Sequence, residues 1–275
     1  MFGRKRELSD DQHPFTDFPF LMVSGLGRSG TTVLRNCIAA HPEINGRNKE
    51  SNYAYYLMRG ANLFMENEFG RSNLAVKESE FWKCHQQLLL NLLWPRTSIR
   101  NLKNSKVVAT YSKMDPRSAM GMAQAFPKHA ICHIVRNGIE VVSSFRAFKN
   151  FQHMSFREVC DHWQAQFLMV QYCRDNPHAT LIRYEWLEND NQQLVATLTL
   201  VLMFLGLEFH DDCLAPLKKR FHPTICQGES RQDSEDLSKR SNRWRFWTGE
   251  ERTVFTEVCG AAMAGMGYDL PWHDE

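Results

Sequence analysis

Short apolar runs alternate with amphipathic stretches along the chain, and this alternation predicts the class of fold. Four runs are typical of buried strands, namely residues 20–24, 105–111, 130–135 and 179–184. Apolar positions at helical spacing lie between and after them and predict helices over residues 31–40, 117–126, 155–175, 192–205 and 250–263, with a further helix through Val141 and Val142. We therefore predict an α/β protein of three layers, with a central, mainly parallel sheet flanked by helices.

The length of 275 residues is sufficient for one such domain with a complete core. We accordingly treat residues 1–275 as a single domain. Residues 1–17 carry no clear apolar pattern and are expected to be disordered or extended. The less regular stretch over residues 46–100 is interpreted as a possible helical insertion on the substrate side, over the carboxyl edge of the sheet.

Composition and charge narrow the possible partners and the location. A hydrophobic content of 43% is that of a globular protein, and a net charge of +2 gives no reason to expect a nucleic acid partner. The eight cysteines match no zinc signature and are expected to be reduced core thiols. The apolar runs are too short to span a bilayer, and no apolar stretch follows the basic residues near Met1. We therefore expect a cytoplasmic protein without a membrane span.

The segment 25–32, Gly-Leu-Gly-Arg-Ser-Gly-Thr-Thr, lies where the first strand should turn into a helix. Glycines let the backbone wrap tightly, and the N–H groups at the start of a helix favour an anion. Hydroxyl groups and one arginine in the same loop add hydrogen-bond donors and positive charge. We predict a phosphate-binding loop formed by Gly27, Arg28, Ser29, Gly30, Thr31 and Thr32.

The loop departs from that of a nucleoside triphosphatase, which reads Gly-x4-Gly-Lys-[Ser/Thr]. Gly25 and Gly30 fit the spacing, but Thr31 stands where the lysine is required, and the cation has moved to Arg28. None of the predicted strands ends in the aspartate that helps to hold Mg²⁺ in such enzymes. This arrangement suits a phosphosulfate, held by side-chain cations, better than a triphosphate held with a metal ion.

At this point the sequence resembles the sulfotransferase family, in particular the branch of tyrosylprotein and carbohydrate sulfotransferases. Arg28-Ser-Gly-Thr-Thr, followed by Leu34 and His41-Pro42, is similar to the family's 5′-phosphosulfate loop. Ser144 lies eight residues after Arg136, as in the family's 3′-phosphate element. Weaker similarities, which extend the resemblance over residues 20–250, occur at Ser112–Pro116, Phe126-Pro127, Arg183–Glu185 and Asn242–Trp244.

The resemblance implies that 3′-phosphoadenosine 5′-phosphosulfate (PAPS) is the donor, that 3′-phosphoadenosine 5′-phosphate (PAP) is the product, and that no metal is required. It implies that Arg136 and Ser144 bind the 3′-phosphate and that Tyr184 belongs to the cofactor site. Arg28 would stabilise charge on the bridging oxygen, and Lys113 would assist at the sulfuryl oxygens. Glu50, 22 residues after Arg28 and followed by aromatic residues, is the expected general base.

Some features depart from the family pattern and leave alternatives open. Asn137-Gly138 replaces the commoner Asp-Pro or Asp-Gly, and no histidine is near Lys113 in sequence, which argues against a histidine base there. Lys239 and Arg240 are candidates for the family's carboxyl-terminal phosphate loop, and a solvated basic run is the equal alternative for them. The alternatives are a P-loop nucleotide kinase or phosphotransferase and a non-catalytic nucleotide-binding module of the same fold. The acceptor is open among small molecules, carbohydrates and peptides that bear a hydroxyl, and the oligomeric state is open too.

Overall fold

Five parallel strands form the centre of the protein. The computed structural model describes residues 13–46, 51–95, 104–148, 153–188, 191–221 and 243–272. The strands are β1 (Phe20–Gly25), β2 (Ile44–Gly46), β3 (Val107–Tyr111), β4 (His129–Val135) and β5 (Ala179–Arg183). They lie in the order β2-β3-β1-β4-β5, and every neighbouring pair is parallel. The prediction of an α/β fold with a parallel sheet is confirmed.

The three central strands read as continuous apolar runs because helices cover both faces of the sheet. Every residue of β1, β3 and β4 is buried. The edge strand β2 was not among the predicted strands. It has three residues, Ile-Asn-Gly, of which one is buried, and so it offers no period that a pattern search detects.

Helices pack on both faces of the sheet and complete the three layers. They are α1 (Thr31–Ala39), α2 (Asn52–Glu66), α3 (Glu68–Ser72), α4 (Glu78–Leu93), α5 (Pro116–Ala125), α6 (Gly138–Arg146), α7 (Phe156–Gln164), α8 (Phe167–Asp175), α9 (Tyr184–Glu188), α10 (Asn191–Phe204), α11 (Ala215–Phe221) and α12 (Gly249–Gly265). One core cluster joins α1 and α10 to the sheet, a second joins α2, α4 and α5 to its other face, and a third lies between α6, α7 and α12.

The helix predicted over residues 155–175 is two helices, α7 and α8, so the prediction of one long helix is wrong. Ala165 and Gln166 keep helical dihedral angles but lie in a turn between the two. The buried residues of α7, such as Trp163, pack toward α12, whereas Met169 and Cys173 of α8 pack toward the sheet. The helical spacing of apolar residues continues almost without interruption from α7 into α8. The chain changes direction there because the two helices pack against different partners.

The two regions without a clear pattern in the sequence, residues 1–17 and 46–100, have defined structure where they are described. Phe15 is fully buried, and the ring Nε2 of His13 lies 2.7 Å from the carbonyl oxygen of Trp94. Residues 13–18 therefore form a turn packed against α4, while residues 1–12 lie outside the described residues. Helices α2, α3 and α4 occupy residues 52–93. Among the described residues, no helix is long and apolar enough to cross a bilayer.

Candidate active site

The loop between β1 and α1 has the backbone shape that its glycines predict. Gly30 has a φ of 91°, and Arg28 has a φ of 70°, a left-handed conformation that is uncommon outside glycine. A Cβ atom at Gly30 would lie 2.3 Å from Cδ2 of Tyr184, so the ring of Tyr184 requires glycine there as well. The loop therefore wraps tightly at the carboxyl end of the central strand.

Some hydroxyl groups of the loop are buried and one is exposed to solvent. The Thr31 hydroxyl lies 2.9 Å from the hydroxyl of Tyr111 at the end of β3, and the Ser29 side chain is buried. Thr32 is exposed at the start of α1. The first turn of α1 carries no acidic residue, so no side chain of that turn neutralises its partial positive charge. The loop and helix start are thus suited to an anion.

Arg28 connects the loop to α6. Its Nε donates a hydrogen bond of 2.9 Å to Oγ of Ser144, and its guanidinium lies 5.1 Å from the ring centroid of Phe148. The ring of Phe145, one residue after Ser144, lies 3.5 Å from the position of a Cβ at Gly27. The predicted 5′-phosphosulfate loop and the predicted 3′-phosphate serine therefore meet at one place.

Arg136 lies beside this junction, at the end of β4. Its Nη1 donates to the carbonyl oxygen of Arg28 at 3.3 Å, and its guanidinium lies 3.9 Å from the ring centroid of Tyr184. Its Nε donates to Glu140 at 2.7 Å, and the two side chains form an ion pair one helical turn apart. Glu140 was not among the predicted site residues, although its spacing of four residues from Arg136 is one at which opposite charges often pair. A bound phosphate would share Arg136 with this carboxylate.

Tyr184 packs against the loop and against Arg136. It was predicted in the cofactor site and is almost completely buried, with its ring between Gly30 and Arg136. The following residue, Glu185, accepts a hydrogen bond of 3.4 Å from the backbone N–H of Asn137 and one of 3.1 Å from the hydroxyl of Tyr268. Burial raises the pKa of Glu185 in spite of these hydrogen bonds, which oppose the increase. Glu185 thereby joins the starts of α6 and α9.

Lys113 lies two residues after β3 and contacts α2. Its Nζ donates to the Tyr56 hydroxyl at 3.2 Å, and it lies 4.5 Å from the ring centroid of Tyr55. Lys113 also affects a histidine that is distant in sequence, because burial and, to a smaller degree, the charge of Lys113 lower the pKa of His162. His162 is on α7, far away in sequence, and its ring packs edge-on to Phe145 with centroids 5.7 Å apart.

Three predicted residues lie outside the described residues, namely Glu50, Lys239 and Arg240. The residue after Glu50 is described, and the backbone N–H of Ser51 donates to the carbonyl oxygen of Tyr111 at 3.0 Å. Among the aromatic residues of this part of the chain, Phe145 and Trp82 are buried in the core. Four others are exposed, namely Tyr53, Tyr56, Phe64 and Phe148.

The sequence matches the model of a known protein family. A family model described as the sulfotransferase family matches residues 19–211, which include the loop, Lys113, Arg136, Ser144 and Tyr184. The chain belongs to the sulfotransferase family. A search among curated proteins gave no match.

Solved sulfotransferase structures share the fold of this family member at low sequence identity. The sulfotransferase domain from the Synechococcus PCC 7002 olefin synthase has a TM-score of 0.52 and 19% identity, with 96% of this chain and 98% of that chain covered. The sulfotransferase domain from the curacin biosynthetic pathway has a TM-score of 0.52 and 17% identity, with 92% and 99% covered. Mouse sulfotransferase SULT7A1, solved in complex with PAP, has a TM-score of 0.50 and 15% identity, with 92% and 85% covered.

Proposed function

We propose that this sulfotransferase transfers a sulfuryl group from PAPS to a hydroxyl of its acceptor, without a metal ion. The observation that carries the proposal is the convergence of Arg28, Ser144 and Arg136. Arg28 donates a hydrogen bond to Ser144, and Arg136 donates one to the backbone carbonyl of Arg28, so the two proposed phosphate sites are adjacent. The mouse relative that was solved with PAP supports this choice of nucleotide.

The described residues fit such a donor. Loop residues 27–32 and the start of α1 would hold the 5′-phosphosulfate through backbone N–H groups and the Thr32 hydroxyl. Arg136 and Ser144 would hold the 3′-phosphate by charge-assisted hydrogen bonds. The ring of Tyr184 packs against the guanidinium of Arg136. Tyr184 would therefore contribute to nucleotide binding by positioning Arg136. Arg28 and Arg136 supply positive charge at the site, and Arg136 is paired with Glu140.

We assign the chemical step to Arg28, Lys113 and Glu50. The acceptor oxygen forms a bond to sulfur while the bond from sulfur to the bridging phosphate oxygen breaks. Glu50 receives the hydroxyl proton, and Arg28 stabilises the electron pair left on the bridging oxygen of PAP. Lys113 assists by interacting with the sulfuryl oxygens during the transfer.

The assignment of Glu50 is supported by the residue that follows it. Ser51 is bonded to the backbone of Tyr111, and the hydroxyl of Tyr111 contacts Thr31 in the loop. The chain therefore returns, one residue after Glu50, to the carboxyl edge of the sheet beside the loop. We therefore propose Glu50, the residue before Ser51, as the base that takes the proton of the acceptor hydroxyl.

Thermal unfolding with nucleotides tests the donor. PAP without Mg²⁺ should raise the melting temperature, because a ligand that binds only the native state stabilises it. Transfer of a labelled sulfuryl group from PAPS to a panel of phenols, sugars, peptides and lipids should then proceed in the presence of EDTA. Strong stabilisation by ATP with Mg²⁺, and none by PAP, would instead support a nucleotide kinase. Binding of PAP with no transfer to any acceptor would support a non-catalytic module.

A further inference from the structure

The ammonium group of Lys113 lies in a corner formed by two consecutive tyrosines of α2. Its Nζ is 4.5 Å from the ring centroid of Tyr55 and 4.8 Å from that of Tyr56. The two rings are nearly perpendicular, with an interplanar angle of 71° and centroids 5.0 Å apart. Consecutive helical residues point about 100° apart, so adjacent tyrosines naturally form such a corner. A lysine in this corner has a cation–π partner on two sides.

The backbone that carries Lys113 is fixed on both sides. Tyr111 is paired within the sheet, and Met114 is buried in the core. Asp115 caps α5, where its carboxylate accepts a hydrogen bond of 2.8 Å from the backbone N–H of Ser118. The position of the Lys113 Cα is therefore set by the fold. What remains to be set is the direction of a long and flexible side chain.

The same carboxylate also fixes α2 and its tyrosines. Oδ2 of Asp115 accepts hydrogen bonds from Nε of Arg59 at 2.7 Å and from the hydroxyl of Tyr55 at 3.4 Å. Burial would raise the pKa of Asp115, but the hydrogen bonds from Ser118 and Arg59 outweigh it and lower the pKa. The carboxylate is therefore ionised at neutral pH, and it holds the start of α2 in place beside Lys113.

We propose that Tyr55 and Tyr56 are positioning residues that hold the Lys113 ammonium at the carboxyl edge of the sheet. The Tyr56 hydroxyl accepts a hydrogen bond from Nζ, and both rings define its direction. Tyr56 is 62% exposed, so packing of the core does not account for its position. Helix α2 is thus part of the transfer site through Lys113. The catalytic part of this inference depends on the proposed function, whereas the position of the ammonium does not.

The first test uses His162 as a reporter and needs no activity. Because the charge of Lys113 lowers the pKa of His162, Lys113→Met should raise that pKa in an NMR titration. The double variant Tyr55→Leu/Tyr56→Leu should raise it in the same direction, since the ammonium is released toward solvent. The matched control is Tyr53→Leu, an exposed tyrosine of the same helix. An unchanged pKa of His162 in the double tyrosine variant would overturn the proposal, provided that Lys113→Met shifts it.

The second test measures coupling in turnover. Tyr56→Leu should lower kcat about tenfold at saturating donor and acceptor, and Tyr56→Phe, which keeps the ring, should lower it less. In the Lys113→Met background, Tyr56→Leu should have no further effect, because the two residues act through one group. Equal losses in both backgrounds would show that Tyr56 acts independently of Lys113 and would contradict the proposal. If the wild type transfers no sulfuryl group, the proposed function fails, and the first test still decides the position of the ammonium.

Discussion

Nε of Arg28 lies 2.9 Å from Oγ of Ser144, so a hydrogen bond joins the loop between β1 and α1 to α6. The two residues belong to different predicted phosphate sites. In the proposed site, Ser144 would therefore act on the donor in two ways, as a contact to the 3′-phosphate and as a support for the loop cation. A charged partner makes such a hydrogen bond stronger than a neutral one.

Ser144→Ala should therefore weaken PAP binding by at least about tenfold, since a hydrogen bond to a charged group contributes about 1.5–3 kcal/mol. Isothermal titration calorimetry measures the change. Ser144→Thr keeps the hydroxyl and should restore most of the affinity. The matched control is Ser143→Ala, because Oγ of Ser143 is buried without a hydrogen-bond partner among the described residues. An equal loss in both alanine variants would show that α6 is disturbed rather than the contact.

Arg136→Ala should weaken binding of PAP by about 1.5–3 kcal/mol through the lost contact to the 3′-phosphate. An analogue without that phosphate should bind the wild type and the variant about equally. Arg71→Ala, which removes an exposed arginine on α3, serves as the control and should change neither affinity. If the variant loses affinity for both nucleotides to the same degree, the contact of Arg136 with the Arg28 carbonyl is its main role.

Gly30→Ala should destabilise the fold by about 1–3 kcal/mol, because the residue has a φ of 91° and a methyl group would collide with the Tyr184 ring. Gly27→Ala is the matched control in the same loop. Its methyl group would lie 3.5 Å from the Phe145 ring, an ordinary contact, so stability should change little. Urea unfolding of the two variants measures the difference. Equal stability would contradict the packing of Gly30 against Tyr184.

Stability should fall in mild acid because of His133, whose ring is buried and contacts the Ser24 hydroxyl at 3.1 Å. Burial lowers the pKa of His133 from 6.5 to about 4. Between these values the unfolded chain binds a proton that the folded chain does not, so the free energy of unfolding decreases as the pH falls. One pKa unit corresponds to about 1.4 kcal/mol, which gives roughly 3 kcal/mol over the window.

Urea unfolding at pH 7 and pH 4.5 measures this dependence on acid. His133→Gln should reduce the difference between the two pH values, whereas His153→Gln, at an exposed position, should leave it unchanged. A difference as large in His133→Gln as in the wild type would assign the acid sensitivity to other groups. His129 is one such group, because burial lowers its pKa as well.

Glu50→Gln should lower turnover by at least about a hundredfold, the lower end of the usual contribution of a general base. It should leave PAP binding nearly unchanged, because the variant keeps the size of the side chain. Glu68→Gln, on the exposed surface of α3, is the control. Near-normal turnover of Glu50→Gln with an acceptor that the wild type sulfates would exclude Glu50 and direct attention to Glu78 or His162.

The sequence alone determined the layers of the fold and the tight glycine-rich turn between β1 and α1. Both are local features, since a buried strand, an amphipathic helix and a glycine-rich turn are each encoded by neighbouring residues. The parallel order of the strands also predicts that the loop, Lys113 and Arg136 lie at one edge, because the carboxyl ends of parallel strands meet there. Two features were missed, namely the break between α7 and α8 and the short strand β2. Both depend on tertiary packing and not on the spacing of apolar residues along the chain.

The pairings within the site were decided only by the tertiary structure. Arg28 and Ser144 are 116 residues apart, and Lys113 and Tyr56 are 57 apart, so no local pattern links them. The same holds for His162, which is distant from Lys113 in sequence and whose pKa is lowered by burial and by the charge of Lys113. Such pairs depend on helix directions and side-chain rotamers, which are set by the packing of α2, α6 and α7 against the sheet and against each other.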